Sequence, residues 1–289
     1  MAIVHHATFC IAVLPERMTD KDSKSLPVIK GRGSSLEIGN RFERVWLESD
    51  LEQLDEQDQL ETQFRKVETQ FYLDKSESIV SQNESPDIDF NYSLNPYRGC
   101  SHGCSYCYAR PSHEYLGFNA GIEFESKILV KPDAARLFRK WLLRPGWHVE
   151  PIMLSGVTDC YQNCERQFKL TRQCLQVALD MRQPIRLITK NGLIRRDLDL
   201  LTQLAEQNLT QVTVSLTTLD QSLVRIMEPR TSSPQARLDT IKVLSEAGIS
   251  VRVSLAPIIP GLNDQEIPDL LKAAKSAGAD TVFFTVSFC

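Results

Sequence analysis

From about residue 90 onward, two hydrophobic periods alternate along the chain. Short runs rich in β-branched and aromatic residues are separated by longer stretches whose apolar residues recur three and four positions apart. Each pair of segments takes about thirty residues, the length of a βα unit. The short runs predict strands over 91–95, 151–157, 185–190, 211–217, 250–256 and 281–287. "VTVSL", "VRVSLAPII" and "TVFFTVSF" are nearly continuous apolar runs, as parallel strands covered on both faces require. The stretches between them carry helix signals. Ser233 and Pro234 supply an N-cap and a first-turn proline for "QARLDTIKVLSEA", which Gly248 ends. Asn263 followed by Glu266 resembles a capping box for a last helix that Gly278 ends.

Right-handed βα units in series build either a doubly wound sheet or a barrel, and both gather ligand-binding groups at the C-terminal ends of the strands. Polar residues stand at those ends. The second predicted strand runs into Thr158 and Asp159, the third into Thr189, Lys190 and Asn191, and the fourth into Ser215, Thr217 and Thr218. The fifth runs into Pro257 and "PGLND". Singly, such residues are ordinary caps and turns. Their convergence on one rim marks a candidate site.

The first ninety residues are built differently. Residues 1–94 carry 18 acidic and 10 basic side chains, and residues 95–289 carry 19 and 23. "ESDLEQLDEQDQLE" (48–61) holds seven acids and no base, the pattern of a solvated helix face or a disordered tract. "IKGRGSSLEIGN" (29–40) reads as loop and lacks the Gly-Lys-Ser/Thr of a phosphate loop. The division expected is an acidic N-terminal extension over 1–88, partly loop or disordered, and a core domain over 89–289. No stretch approaches the roughly 18 consecutive apolar residues of a membrane span. "ATFCIAVL" (7–14) has neither a preceding Lys or Arg nor a following small-residue cleavage site, which argues against a signal peptide. Eight cysteines without a secretory signal point to metal or reactive thiols in a reducing compartment, and the cytoplasm is the expected location.

Three of those cysteines are concentrated in "NPYRGCSHGCSYCY" (95–108), directly after the first predicted strand. Cys100, Cys104 and Cys107 are spaced Cx3Cx2C between Gly99 and Gly103. A closed tetrahedral zinc site would need a fourth ligand, from His102, His113 or a distant cysteine. An iron–sulfur cluster on three thiolates leaves one iron open, the mark of a metal centre that binds a small molecule. A cluster used only for electron transfer or structure would recruit a fourth thiol, for which Cys160 and Cys164 are candidates. Cys164 also falls on the stripe Cys164, Phe168, Thr171, Leu175 and Ala178, which reads as helix core, and a packing role is expected for Cys160. The mild positive balance after residue 95, with a pI near 5.8 and no aromatic–basic motif, does not by itself select a nucleic-acid-binding module.

"CSHGCSYCY" resembles the CxxxCxΦC signature of radical S-adenosylmethionine (SAM) enzymes, with Tyr106 at the aromatic position. "LITKN", "VTVSLTT", "IMEPRTSSPQARLDT" and "SLAPIIPG" resemble blocks of the branch that contains spore photoproduct lyase and relatives of unassigned substrate. This resemblance covers most of residues 89–288. It implies an α/β fold, a partial (βα)6 TIM-like barrel open at one side for a bulky substrate. It implies a [4Fe–4S] cluster on Cys100, Cys104 and Cys107, whose open iron chelates SAM. Tyr106 would lie near adenine, and Thr158, Lys190 and Ser215 match positions that contact SAM. A one-electron donor such as flavodoxin or ferredoxin is implied as partner, and nucleic acid enters as a substrate class by analogy. Two departures stand out. The position of the branch's hydrogen-donating cysteine falls on Gly156, so that reaction is not inherited, and relatives continue past the sixth strand with a helix and a tail.

Overall fold

The computed structural model describes residues 31–34, 67–84 and 89–286; the acidic run 48–61 and the apolar stretch 7–14 lie outside them. Ten strands are present among the described residues. They are β1 Gln70–Leu73, β2 Val80–Gln82, β3 Tyr92–Leu94, β4 Tyr97–Arg98, β5 Lys127–Val130, β6 Ile152–Leu154, β7 Ile185–Thr189, β8 Thr210–Ser215, β9 Val251–Ile258 and β10 Thr281–Val286. The six predicted runs became β3, β6, β7, β8, β9 and β10, which pair in parallel in that order. β2 adds antiparallel to β3, giving a seven-stranded sheet in the order β10-β9-β8-β7-β6-β3-β2. β10 and β2 are its edges, and no pairing among the described residues closes it into a barrel. β1, β5 and β4 form a separate three-stranded sheet beside it. β1 and β2 precede residue 89, so chain assigned to the extension contributes strands to both sheets.

Burial explains the apolar runs of the central strands, whereas β10, at the sheet edge, fully buries only Val282. Leu154, Leu187, Val212, Val253 and Leu255 are almost wholly removed from water, each such side chain contributing about 1.5–3 kcal/mol. Helices Leu170–Asp180, Leu198–Glu206, Pro234–Glu246 and Ile267–Ser276 cover the sheet with Leu175, Leu201, Ile241 and Leu270. The Ser233 hydroxyl caps the third of these by accepting from Ala236 N, and Gly248 follows its end with φ 76°. Among the described residues no helix is long and apolar enough to cross a membrane.

Three local expectations are corrected. β6 stops at Leu154, not at 157, because Ser155 takes φ 81° and turns the chain into a loop. The stripe from Cys164 to Ala178 is not one helix. Lys169 adopts φ 54° between Glu165–Phe168 and Leu170–Asp180, and the buried Glu165 carboxylate accepts from Thr171 N (3.0 Å) to start the second. Asn263 and Glu266 form no capping box. Asn263 donates to the carbonyls of Thr217 and Pro257, while Glu266 accepts from the Thr218 hydroxyl and Leu219 N, tying β8 to the loop after β9.

Candidate cofactor site

The cysteine loop is held from several sides by backbone bonds that fix its shape without using the thiols. Cys100 N donates to Phe124 O (2.9 Å), Ser105 N to Met227 O (2.9 Å), and Arg230 N to His102 O (3.2 Å). The buried Gln162 side chain clamps the loop's start, accepting from Ser101 N (2.9 Å) and donating to Gly99 O (3.0 Å). The glycines are required. Gly99 and Gly103 sit at φ 76° and 67°, and a Cβ on Gly103 would stand 2.6 Å from Glu125 Oε2. Glu125 is fully buried beneath the loop, bridging Arg110 Nη2 (2.6 Å) and Gly33 N (3.1 Å), while Arg110 also donates to Cys104 O (2.8 Å). Arg32 completes this layer by donating to Glu125 O (2.7 Å) and Val67 O (2.7 Å). The segment 31–34 is thus packed directly on the cysteine loop.

All three thiols are sheltered, Cys100 and Cys104 buried and Cys107 partly so. Burial pushes Cys100 well above the ordinary thiol value and Cys104 to about 12, and it raises Cys107 as well. Left alone, the three would remain protonated. A cationic metal group is what makes thiolates favourable at such a place, so the donor set fits an iron–sulfur cluster. No group of three or more His, Cys, Asp or Glu among the described residues converges to hold a single metal ion. Of the two histidines considered for zinc, His102 is engaged through both ring nitrogens and His113 through Nε2. His102 Nδ1 lies 3.3 Å from Asp159 Oδ2 and its Nε2 3.3 Å from Asn191 Nδ2, and His113 Nε2 contacts Lys127 O at 2.9 Å. Burial lowers His113 to about 4. Cys160, Cys164 and Cys174 belong to the main core, while Cys100 and Cys107 pack in a separate cluster with Ala109 and Phe124. Those thiols therefore pack apart from the loop's cluster, and burial, reinforced by Asp159, raises Cys160 far above its ordinary value.

Beside the loop, the strand ends converge on Glu228. Its carboxylate is fully buried and accepts from Arg237, from Tyr106 and from Thr217 Oγ1 (2.7 Å), with Lys190 Nζ at 3.7 Å. Burial alone would raise this acid, but Arg237 and then Lys190 outweigh it and hold the carboxyl at about 2. Lys190 follows β7 directly, anchored by Lys190 N donating to Asp159 Oδ2 (2.8 Å), and its ammonium stands 5.7 Å from the centre of the Tyr106 ring. Asp159, opposed by burial but favoured by His102 and by the N–H groups of Lys190 and Tyr161, stays below the ordinary carboxylate range. Ser215 ends β8, buried, and its carbonyl accepts from Arg237 Nη1 (3.0 Å). Thr158 is apart from this group. Its hydroxyl turns toward Tyr97 O (3.4 Å), in the loop after β6.

The structure thus brings Tyr106 and Lys190 together, reaches Ser215 through Arg237, and leaves Thr158 on the neighbouring loop. Glu228 and Arg237 were not singled out from sequence, although a signal exists. Arg237 shares a helical stripe with Ile241 and Leu244, and an arginine on a buried stripe demands a buried counter-charge. Glu228, Asp239 and Glu246 were the acids nearest in sequence, and only the fold selects among them. Tyr108 is another residue sequence left unassigned. Its ring is exposed while its hydroxyl donates to Gly156 O, spanning from the cysteine loop to the end of β6.

The sequence profile of the Radical SAM superfamily matches residues 94–274, more than half of the chain. An uncharacterized protein of Mycobacterium tuberculosis is 40% identical over 197 residues, covering 68% of this chain and 58% of the relative. An uncharacterized protein of Methanocaldococcus jannaschii is 33% identical over 176 residues, covering 61% of this chain and 63% of that one. The chain therefore spans less than two thirds of the length of either relative. In fold it is similar to spore photoproduct lyase with bound AdoMet and dinucleoside spore photoproduct, at a TM-score of 0.57 and 17% identity, over 74% of this chain and 60% of the lyase.

Proposed function

Because the chain belongs to the radical SAM superfamily, we propose that it is a radical enzyme binding a [4Fe–4S] cluster through Cys100, Cys104 and Cys107, with SAM beside it. Members of the superfamily use these two cofactors. When bound, they supply one-electron cleavage of the SAM sulfonium to methionine and a 5′-deoxyadenosyl radical that takes hydrogen from substrate. The observation that carries the proposal is a contact between the two halves of the site: Tyr106, between Cys104 and Cys107 on the thiol loop, donates to Glu228 and lies with its ring centre 5.7 Å from the Lys190 ammonium. Thiol loop and strand-end charges occupy one place.

The chain's own residues have distinct tasks. Lys190 can exchange Glu228 for a ligand carboxylate without leaving the rim, since 3.7 Å is a loose ion pair. Arg237 keeps Glu228 charged and in place throughout. Tyr106 offers an aromatic face beside that ammonium, Ser215 brings a hydroxyl from the end of β8, and Thr158 one from the loop after β6. The six parallel strands and their order support a curled, partial (βα)6 TIM-like barrel around this rim. Cys107 is the least sheltered of the three thiols, which supports docking of a flavodoxin or ferredoxin donor on its side of the loop. Six free cysteines among the described residues suit a reducing cytoplasm. Nucleic acid is the substrate class that likeness to the lyase suggests, as analogy.

Anaerobic reconstitution tests the proposal. The protein should take up about four irons per chain, show a reduced-cluster EPR signal that SAM perturbs, and release 5′-deoxyadenosine on reduction. Cys100→Ala, Cys104→Ala and Cys107→Ala should each abolish the signal. Stoichiometric zinc, with no iron-dependent signal, would overturn it.

A further inference from the structure

A cavity of about 290 Å³ opens on the strand-end rim next to Lys190, lined by Arg166, Arg195 and Arg196 with Asn191, Gly192 and Ser232 among its walls. We propose that it binds a phosphoryl oxyanion of the substrate through Arg166 and Arg195; its assignment to substrate rests on the radical SAM function proposed above.

Its position ties it to the cofactor site. Asn191 and Gly192 continue directly from Lys190, and Ser232 is fastened to the same turn, with Ser232 N donating to Lys190 O (3.2 Å) and Gly192 N donating to Ser232 Oγ (2.9 Å). The Asn191 amide also reaches His102 Nε2 (3.3 Å), inside the cysteine loop. One wall of the cavity is therefore the back of the turn that presents Lys190.

Its charge is unbalanced in a specific way. Arg196 is committed, bridging Glu165 Oε1 (2.6 Å) and Asp197 Oδ2 (2.7 Å), and Asp197 is shared with Arg172 at 3.0 Å. The nearby acids are thereby used up. Arg166 and Arg195 form no ion pair among the described residues, and Arg195 spends only Nε, on Gly192 O (3.2 Å). Two exposed guanidiniums line one concavity, and their Nη groups make no hydrogen bond to protein among the described residues, leaving those donors to solvent or ligand. Guanidinium forks match tetrahedral phosphoryl oxygens in both charge and geometry, so a phosphate monoester, diphosphate or phosphodiester satisfies both at once. The shallow, surface setting suits one group of a larger molecule whose reacting part extends toward Lys190.

The test uses the full chain and calorimetric titration with inorganic pyrophosphate, and separately with adenylyl-adenosine, which carries one phosphodiester. Pyrophosphate should bind saturably to the wild-type protein, about tenfold more weakly to Arg166→Gln, and more weakly still to Arg166→Gln/Arg195→Gln. Both side chains are exposed, so the substitutions leave the core alone. Lys242→Gln, which removes an exposed cation elsewhere, controls for general charge and should bind as wild type does. Binding of adenylyl-adenosine with the same arginine dependence assigns the site to nucleic-acid backbone; binding of pyrophosphate alone assigns it to a terminal phosphate or diphosphate. Absence of saturable pyrophosphate binding, or equal loss in the Lys242 variant, overturns the site. The SAM-dependent EPR change, read on the wild-type protein, is independent of this titration, so its failure would fault the proposed function and not the cavity's chemistry.

Discussion

Replacing Glu228 by Gln removes one negative charge from a group that has no access to water, and the size of the effect follows from two routes. In the folded chain the carboxyl is held at about 2, against an ordinary value of 4.5, which corresponds to about 3 kcal/mol of stability at neutral pH. Breaking a buried ion pair from one side typically costs about 3–5 kcal/mol, because the surviving charge is left uncompensated. Here the survivor is Arg237, only 1% exposed. The glutamine amide would also turn a donor toward one of the groups now donating to Glu228. Urea unfolding at pH 7 should therefore show Glu228→Gln less stable by about 3 kcal/mol. The sign of the pH dependence is fixed by the depressed carboxyl. Its contribution is complete above pH 4.5 and is lost as pH falls through about 2, so the gap between variant and wild type should be unchanged from pH 8 to 5 and narrow below that. A loss under about 1 kcal/mol, or a gap that varies between pH 8 and 5, would refute the idea that Glu228 is the buried counter-charge of the site.

Lys190→Ala should weaken SAM binding by about 1.5–3 kcal/mol while leaving iron content intact, as measured by equilibrium binding and iron assay on the reconstituted protein; unchanged affinity would remove Lys190 from the site. Cys160→Ser should keep the parent iron count and lose about 1–2 kcal/mol in urea unfolding, since a wholly buried thiol becomes a more polar hydroxyl; a fall in iron would show that it is a ligand. Gly103→Ala should impair cluster uptake, because it combines φ 67° with a Cβ 2.6 Å from the Glu125 carboxylate, and normal iron loading would contradict the role given to that close approach.

The parallel strands of the main sheet were legible because they are rich in apolar and β-branched residues, most of them buried in the central strands β8 and β9. β1, β2, β4 and β5 were not, since they are two to four residues long and β1 is exposed throughout, leaving no period to detect. The three loop thiols stood out because their spacing is local. Glu228 did not, because its meaning depends on Arg237, Tyr106 and Lys190 arriving from three other segments. Lys190 and Ser215 stand at strand ends, where a topological rule directs the search for ligand-binding groups, whereas the path of Thr158 toward Tyr97 depends on the turn at Ser155, which no residue pattern announces.

The seating of Gly31–Ser34 bears on where this protein can be cut. Arg32 and Gly33 satisfy the backbone and carboxylate of Glu125 from below the thiol loop, and Arg230 Nε reaches back to Gly31 O (2.9 Å). A fragment trimmed to the stretch that matches the family profile, 94–274, would lose those donors together with the edge strands β2 and β10. Glu125 would then keep its burial but only part of its hydrogen bonding. A grafted or recombined version of this domain consequently has to carry upstream chain as an integral component, because a boundary chosen by alignment strips donors from beneath the thiol loop.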